Sequence, residues 1–477
     1  MGMERKKGLI IAGGILVLIV VAVATAAVLF DINSYKPKIE TIASAATGLD
    51  IRIKGGIGFS FFPFGVSAKD VHVTGTAGEI LSLERLRLGA ELMPLLRKQL
   101  KVTVCELDGA AVTIVKGTDG KYNFESTEKK STKGGPGTAL SLKEFRLSKG
   151  AFVYLDKKTG EKTELKEINL VVKDLSITDT SGDIIKHISF AGNIDCRELQ
   201  KKDLKISSIK SAIKAEKGIF YLKPLTMDVF GAKGEGDVTI NKSEDEAEYK
   251  INVNVPKLAF ERLQESFGVK KKISGKGDLT ASLIIKEKGG RSLVNGMDGT
   301  LSLQGNNLIT NTMDLDKVLS AYEKSQSFNL VDIGAFFVAG PLGSAALKAY
   351  NYGDVYLKTH EGQGIITQFV SQWKIGNGEA DTVDCAFATR HNLVALKGRL
   401  NLARERYDNI TVALLDDKGC AKFKQTISGP FSSPQIGAVN AIGSIATPIL
   451  NIFNKAKGLT KAGKCEVFYS GSVQQPR

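Results

Sequence analysis

The chain has 477 residues, a net charge of +14, 50 glycines, 11 prolines and a single tryptophan. That length exceeds one ordinary compact core and implies two or three domains, or a repetitive β architecture in which each unit buries surface against its neighbours. Basic residues are interspersed with acidic ones and no dense basic block carries interleaved aromatics, which argues against nucleic acid; the charge suits a solvated β surface, with contact to anionic lipid head groups as the functional reading.

The chain opens with a short basic tail, residues 1–7. Gly8 to Phe30 then form an uncharged run of 23 residues behind Glu4-Arg5-Lys6-Lys7. At about 1.5 Å per helical residue the run crosses a hydrocarbon core of roughly 30 Å once. Arg5, Lys6 and Lys7 are expected to keep the N-terminus cytoplasmic, with everything from Asp31 onward on the far side. Ala24-Thr25-Ala26 offers a signal-peptidase site as a rival reading, but the run is longer than a signal h-region and has no polar break before that site. An uncleaved anchor over 8–30 is therefore expected.

Next, Lys36 to Ala46 reads as a short helix, and Ile51 and Ile53 alternate with Arg52 and Lys54 as a strand. The apolar cluster Phe59 to Gly65 reads as a hairpin turn or, functionally, as an aromatic cap at the membrane-proximal end of a core or groove. Leu88 to Gln99 is expected to be an amphipathic helix. Val102-Thr103-Val104 and Val112-Thr113-Ile114 alternate with period two. Residues 126–138 hold Gly134-Gly135-Pro136-Gly137 and no large apolar side chain, and read as a flexible loop. The expected organisation is an N-terminal module at 31–125, that loop, a central β-rich region at 139–310 and a C-terminal β region at 311–477.

From Ala139 onward alternation is the rule: Ile168, Leu170 and Val172; Ile251, Val253 and Val255; Leu279, Leu283 and Ile285; Leu301 and Leu303. Such runs predict sheets wet on one face and dry on the other. Gly231 to Gly236, Gly376-Asn377-Gly378 and Asp416 to Gly419 read as turns. Helices are predicted at 313–324 and 436–453, the second kinked at Pro448, and a last strand at Cys465 to Ser470. Of the five cysteines, Cys105, Cys196, Cys385, Cys420 and Cys465, the three C-terminal ones are the better candidates for a pair.

No catalytic constellation emerges. His72, His187, His360 and His391 are too scattered for a metal site, and no G-x-S-x-G, Walker A or HExxH pattern is present. The chain is therefore read as a non-enzyme without cofactor or metal.

Several motifs in order carry a family resemblance. They are the apolar anchor with Ala46-Thr47-Gly48-Leu49-Asp50-Ile51, the Phe62-Pro63-Phe64-Gly65 turn and Ala68-Lys69-Asp70-Val71-His72-Val73. Leu107-Asp108-Gly109-Ala110 and Asp119-Gly120-Lys121-Tyr122-Asn123-Phe124 follow, then Gly299-Thr300-Leu301-Ser302-Leu303 and Ile427 to Ile436. In these the chain resembles the AsmA family of envelope proteins. The resemblance implies an elongated, strongly curved antiparallel β-groove with a chorein-like N-terminal module, anchored in a bacterial inner membrane with its bulk in the periplasm. It implies lipid transport (phospholipid or a lipopolysaccharide precursor) or support of outer-membrane biogenesis, with membrane lipids and envelope proteins as partners. Candidate groove-lining residues are Ile251, Val253, Val255, Leu279, Leu283, Ile285, Leu301 and Leu303. The alternative is a non-catalytic periplasmic scaffold that assists outer-membrane protein assembly, with the same residues filling a closed core.

Overall fold

The computed structural model describes residues 32–61, 63–76, 78–91, 101–124, 140–179, 183–268, 273–287, 292–311, 313–325, 330, 362–441 and 467–476. The predicted anchor at 8–30 and the loop at 126–138 lie outside them. Among the described residues no helix is long and apolar enough to cross a membrane. The protein is mainly β and divides into two compact units, residues 1–199 and 200–477.

The first unit begins with helix α1 (Lys36–Thr47), close to the predicted span. Strands β1 (Asp50–Ile53), β2 (Ile57–Phe61), β3 (Phe64–Gly75), β4 (Gly78–Ala90), β5 (Val102–Asp108), β6 (Ala111–Lys116), β7 (Leu140–Asp156) and β8 (Glu161–Ile177) follow. A one-turn helix α2 (Ile184–His187) leads into β9 (Ile188–Lys201). The helical segment covers the outer edge of β1 and β2 with side chains in place of another strand. Ser44 Oγ accepts from the Ile51 N–H at 2.9 Å, Glu40 Oε1 from Ile53 at 2.6 Å and Asn33 Oδ1 from Ile57 at 2.8 Å. Edge donors that would otherwise recruit a foreign strand are thereby satisfied.

Two details differ from the sequence reading. The predicted helix from Leu88 begins as strand, since β4 runs to Ala90 and Leu88 pairs with both Val66 and Cys105; Leu92 to Gln99 lie outside the described residues. The sheet is also mixed rather than purely antiparallel. β5 and β6 follow one another in line, broken at Gly109, and the 17-residue β7 pairs parallel with both. Gly109 sits at φ +62°, where a Cβ would meet the Glu84 side chain at 2.4 Å, so this break requires glycine.

The second unit holds β10 (Leu204–Glu216), β11 (Ile219–Val229), β12 (Ala232–Asn241) and β13 (Glu248–Ala259), then helix α3 (Phe260–Glu265). β14 (Ile273–Ser274), β15 (Lys276–Lys286), β16 (Met297–Thr310) and helix α4 (Leu315–Ser325) come next. They are followed by β17 (Gly364–Gly376), β18 (Glu379–Ala388), β19 (Leu393–Asn401), β20 (Arg406–Leu415) and β21 (Ala421–Pro430). Two short strands, β22 (Gln435–Ile436) and β23 (Asn440–Ala441), pair with β21. The helix expected at 436–453 is thus strand at its start, because Ile436 pairs with Ile427; residues 442–453 lie outside the described ones. Of the expected last strand, residues 465 and 466 lie outside the described ones and the remainder makes one bridge, Val467 to Cys420, with the segment after it held by Asp384. Its carboxylate accepts from the Tyr469 hydroxyl at 2.6 Å and from the Ser472 N–H at 2.9 Å. The glycine run at 231–236 is a turn only at its start, since β12 already begins at Ala232. Cys420 is disulfide-bonded, while Cys105, Cys196 and Cys385 carry free thiols. Burial pushes the Cys385 thiol up to about 12, which keeps it protonated.

A recurring device punctuates the long strands. Lys149, Ser208, Lys257 and Asn409 all adopt left-handed backbone, φ +52° to +56°, and each lies in a register shift of its ladder. These are β-bulges, which bend a strand and raise its local twist. At two of them the freed N–H finds a side-chain acceptor on the neighbouring strand: Lys257 donates to Asp278 Oδ1 at 2.9 Å, and Lys149 to Asn169 Oδ1 at 3.1 Å. Replacing Asp278 with Ala is expected to cost the second unit about 1 kcal/mol. The single tryptophan, Trp373, is buried in this unit and reports its urea unfolding directly. An unchanged midpoint would mean that the acceptor does not hold the bulge.

Candidate functional site

The eight residues named from sequence fall on one face of β13, β15 and β16. Register aligns them in rows: Ile251 beside Leu283; Val253 beside Ala281 and then Leu301; Val255 beside Leu279 and then Leu303; Ile285 beside Met297. The opposite face is polar and internally bonded, with Ser282 Oγ donating to Asn252 Oδ1 at 2.8 Å and Asn252 Nδ2 donating to Asp237 Oδ2 at 3.1 Å.

The apolar face is not uniformly covered. Leu303 and Val255 are 0% and 1% exposed, and Leu301 8%. They join one core with Phe260 and Leu263 of α3 and Leu315, Val318 and Leu319 of α4. Towards the other end of the same strands, Ile251, Val253, Leu283 and Ile285 are only half-buried, as is Leu279. Val253, Leu279 and Leu283 pack against that core, and the two helices thus cover Val255 and Leu303 more completely than Ile251 and Leu283.

The first unit carries a broader open face that alternation within single strands did not disclose. One row runs Ile51, Val73, Leu81, Val112, Phe152, Leu165 over β1, β3, β4, β6, β7 and β8. Every one of these side chains is half-buried. A second row runs Ile57, Ala68, Leu86, Leu107, Leu147, Leu170 over β2, β3, β4, β5, β7 and β8. A buried cluster around Ile53, Val71, Leu83 and Ala110 lies towards the β2–β4 end, with Leu86, Leu107 and Leu147 packed against it. Five inter-strand gaps of about 4.8 Å make each row about 24 Å long, more than one leaflet of a roughly 30 Å hydrocarbon core. The two rows present continuous apolar side chains across six strands.

Charged groups of the second unit include ion pairs around one cleft. A cleft in the second unit is lined by Asp381, Arg399, Asp408 and Tyr469 among others. Arg399 clamps Asp381 at 2.7 and 3.1 Å, and Arg406 holds Asp408 at 2.8 Å. Such pairs fit structural ion pairing better than an acid and a base held at different pKa values. Among the described residues no group of three or more His, Cys, Asp or Glu side chains is placed to hold a metal.

His72 on β3 lies between Glu79 and Asp70, with Nε2 2.8 Å from Asp70 Oδ1. Hydrogen bonds first to Glu79 and then to Asp70 raise its pKa above the ordinary 6.5. A group raised on folding stabilises fully below its unfolded pKa and loses that contribution as pH rises through the folded one. We therefore expect the stability gap between wild type and His72→Gln to be largest below about pH 6.5 and to shrink above it. Thermal melts of the two proteins from pH 5.5 to 8.5 check this, and a pH-independent gap would contradict it.

The fold and these faces define a class: a mainly β protein whose sheets present wide, half-open apolar faces. The chain belongs to the AsmA family, whose profile matches residues 1–196 and again 186–339. Comparison with curated proteins and with solved structures finds no match. Family membership points in general terms to envelope biogenesis or lipid transport and away from catalysis, without selecting a specific role.

Proposed function

We propose that this protein is an inner-membrane-anchored lipid carrier whose periplasmic sheets hold acyl chains along half-open apolar faces. The observation that supports this most is the six-strand row from Ile51 to Leu165, whose side chains remain half-buried from end to end. A closed core would bury them fully, as Leu303 is buried in the second unit. Apolar surface left wet is costly at about 25 cal/mol per Å², and an acyl chain lying on it removes that cost from both partners. The predicted span at 8–30 would tether the carrier to its lipid source, and the polar outer face would stay hydrated. The row from Ile251 to Leu283 extends the same chemistry to the second unit as groove lining, with Val253 and Ile285 beside it. No reacting group is needed for such transfer.

The test is a photo-activatable residue placed at Phe152, on the row, and separately at Lys162, an exposed position on β8. Irradiation of the full-length protein in its native membrane, followed by mass spectrometry, is expected to yield phospholipid or lipopolysaccharide-precursor adducts at 152 and background at 162. Protein adducts at 152 in place of lipid would favour the scaffold reading, to which the fully closed end of the second unit already lends itself.

A further inference from the structure

The strands that carry the apolar rows of the first unit bear a second feature at their β2 end. A cleft of about 470 Å³ opens over β2, β3 and β4, lined by Lys69, Arg85 and Arg87 together with Ser67, Phe59 and the glycines at 56 and 58. Register explains the convergence: Lys69 lies beside Arg85, and Ser67 lies between Gly58 and Arg87. No carboxylate lines the cleft. Glu106, on the next strand, accepts from Arg87 at 3.1 Å and is shared with Arg146 at 3.6 Å, so it offsets one charge at most. Asp108 lies beside Arg85 in register, yet among the described residues neither Lys69 nor Arg85 makes an ion pair. The glycines leave space: a Cβ at position 58 would find no atom nearer than 3.9 Å. Cations converging on an open, uncharged floor suit a phosphate oxyanion.

The chain path indicates where that phosphate comes from. Asn33 bonds to the N–H of Ile57, a residue of the cleft wall, and Asn33 is three residues beyond Phe30, the last residue of the predicted span. Three residues reach roughly 10 Å when fully extended. The cleft therefore lies within head-group distance of the membrane surface where the span would end. Phe59 on the rim is 43% exposed and Tyr35 53%, aromatic side chains of the kind that settle at that interface.

We propose that this cleft binds the phosphate of an anionic phospholipid head group in the membrane that carries the anchor. The inference rests on the anchoring proposed above and not on the acyl-chain rows. The site would hold the first unit against the bilayer and present a lipid at the entrance to the apolar face.

The test titrates the full chain, in uncharged detergent, with dihexanoyl phosphatidylglycerol, dihexanoyl phosphatidylcholine and inorganic phosphate by calorimetry. Phosphatidylglycerol is expected to bind, and the double substitution K69Q/R85Q to weaken it at least tenfold, with single substitutions intermediate and Arg85→Lys nearly wild type. Circular dichroism melts show whether each variant is folded. Equal affinity of wild type and a folded K69Q/R85Q would overturn the proposal. So would inorganic phosphate binding as tightly as phosphatidylglycerol, which would make this a free-anion site. Loss of the Phe152 adduct with retention of phosphatidylglycerol binding would count against the acyl-chain reading alone and leave this one standing.

Discussion

Truncating Leu303 to Ala is expected to cost the second unit about 4 kcal/mol, and the same change at Leu283 only about 1–2 kcal/mol. Both leucines lie on one apolar face of β15 and β16, but Leu303 is fully buried beneath the helices and Leu283 only half-buried. A fully buried Leu→Ala change loses its transfer free energy and leaves a cavity, for a total of about 2–5 kcal/mol. At a half-open position the neighbours already meet solvent, so the cavity contribution vanishes and about half the transfer contribution remains. Urea unfolding followed by Trp373 fluorescence measures both. Equal losses would show that the face is closed along its whole length, and the groove reading of this unit would fall.

The second large effect lies in the first unit. Val112→Asp with Phe152→Asp is expected to remove bound lipid almost completely while leaving the unit folded. The two residues are adjacent in register within the row, so both carboxylates would lie under one acyl chain. Placing an ion against hydrocarbon costs several kcal/mol, and each 1.4 kcal/mol is a factor of ten in occupancy. Because both side chains are only half-buried, the carboxylates reach water in the empty protein and its folding is little affected. Lipid extracted from the purified variant should fall at least a hundredfold against wild type, with an unchanged circular dichroism melt. Wild-type lipid content in the variant would mean that acyl chains do not lie on this row.

Alternation along the chain made the strands legible, and with them the single shared face of the eight residues between Ile251 and Leu303. Two helices were equally legible: apolar spacing placed α1 and α4 within a residue or two of where they lie. Three other things are not encoded locally. Which end of a face is closed depends on α3 and α4, whose cover over Val255 and Leu303 is a tertiary fact. The long row of the first unit joins six strands, and it passes through the parallel partnership of β6 with β7, which no period in either strand announces. The bulges reset parity within a strand, so that Ala68 and Val71 are both buried on β3 across the left-handed Asp70. Leu88 misled for a further reason. Its spacing to Leu92 and Leu95 fits a helix, while its spacing to Leu86 continues the strand to which it belongs. The phosphate cleft was invisible as a pattern, because Lys69, Arg85 and Arg87 converge only through hairpin register.

The connectivity of the second unit also determines when each of its strands finds a partner during synthesis. From β10 to β13 each strand pairs with the one just before it, so a chain emerging N-terminus first can zip up hairpin by hairpin, with short loops to close at every step. That progress halts at β16. Its next partner, β17, begins 54 residues after Thr310, the residue against which Gly364 finally pairs. At synthesis rates of about 5–20 residues per second this is an interval of several seconds. Throughout it, a strand bearing Leu301, Leu303 and Leu308 has one edge without its β17 partner, and of the described elements made after it only α4 is at hand to cover its apolar face. The nascent chain is most open to aggregation in that interval, and an export or folding factor acting on this protein would have most to protect there.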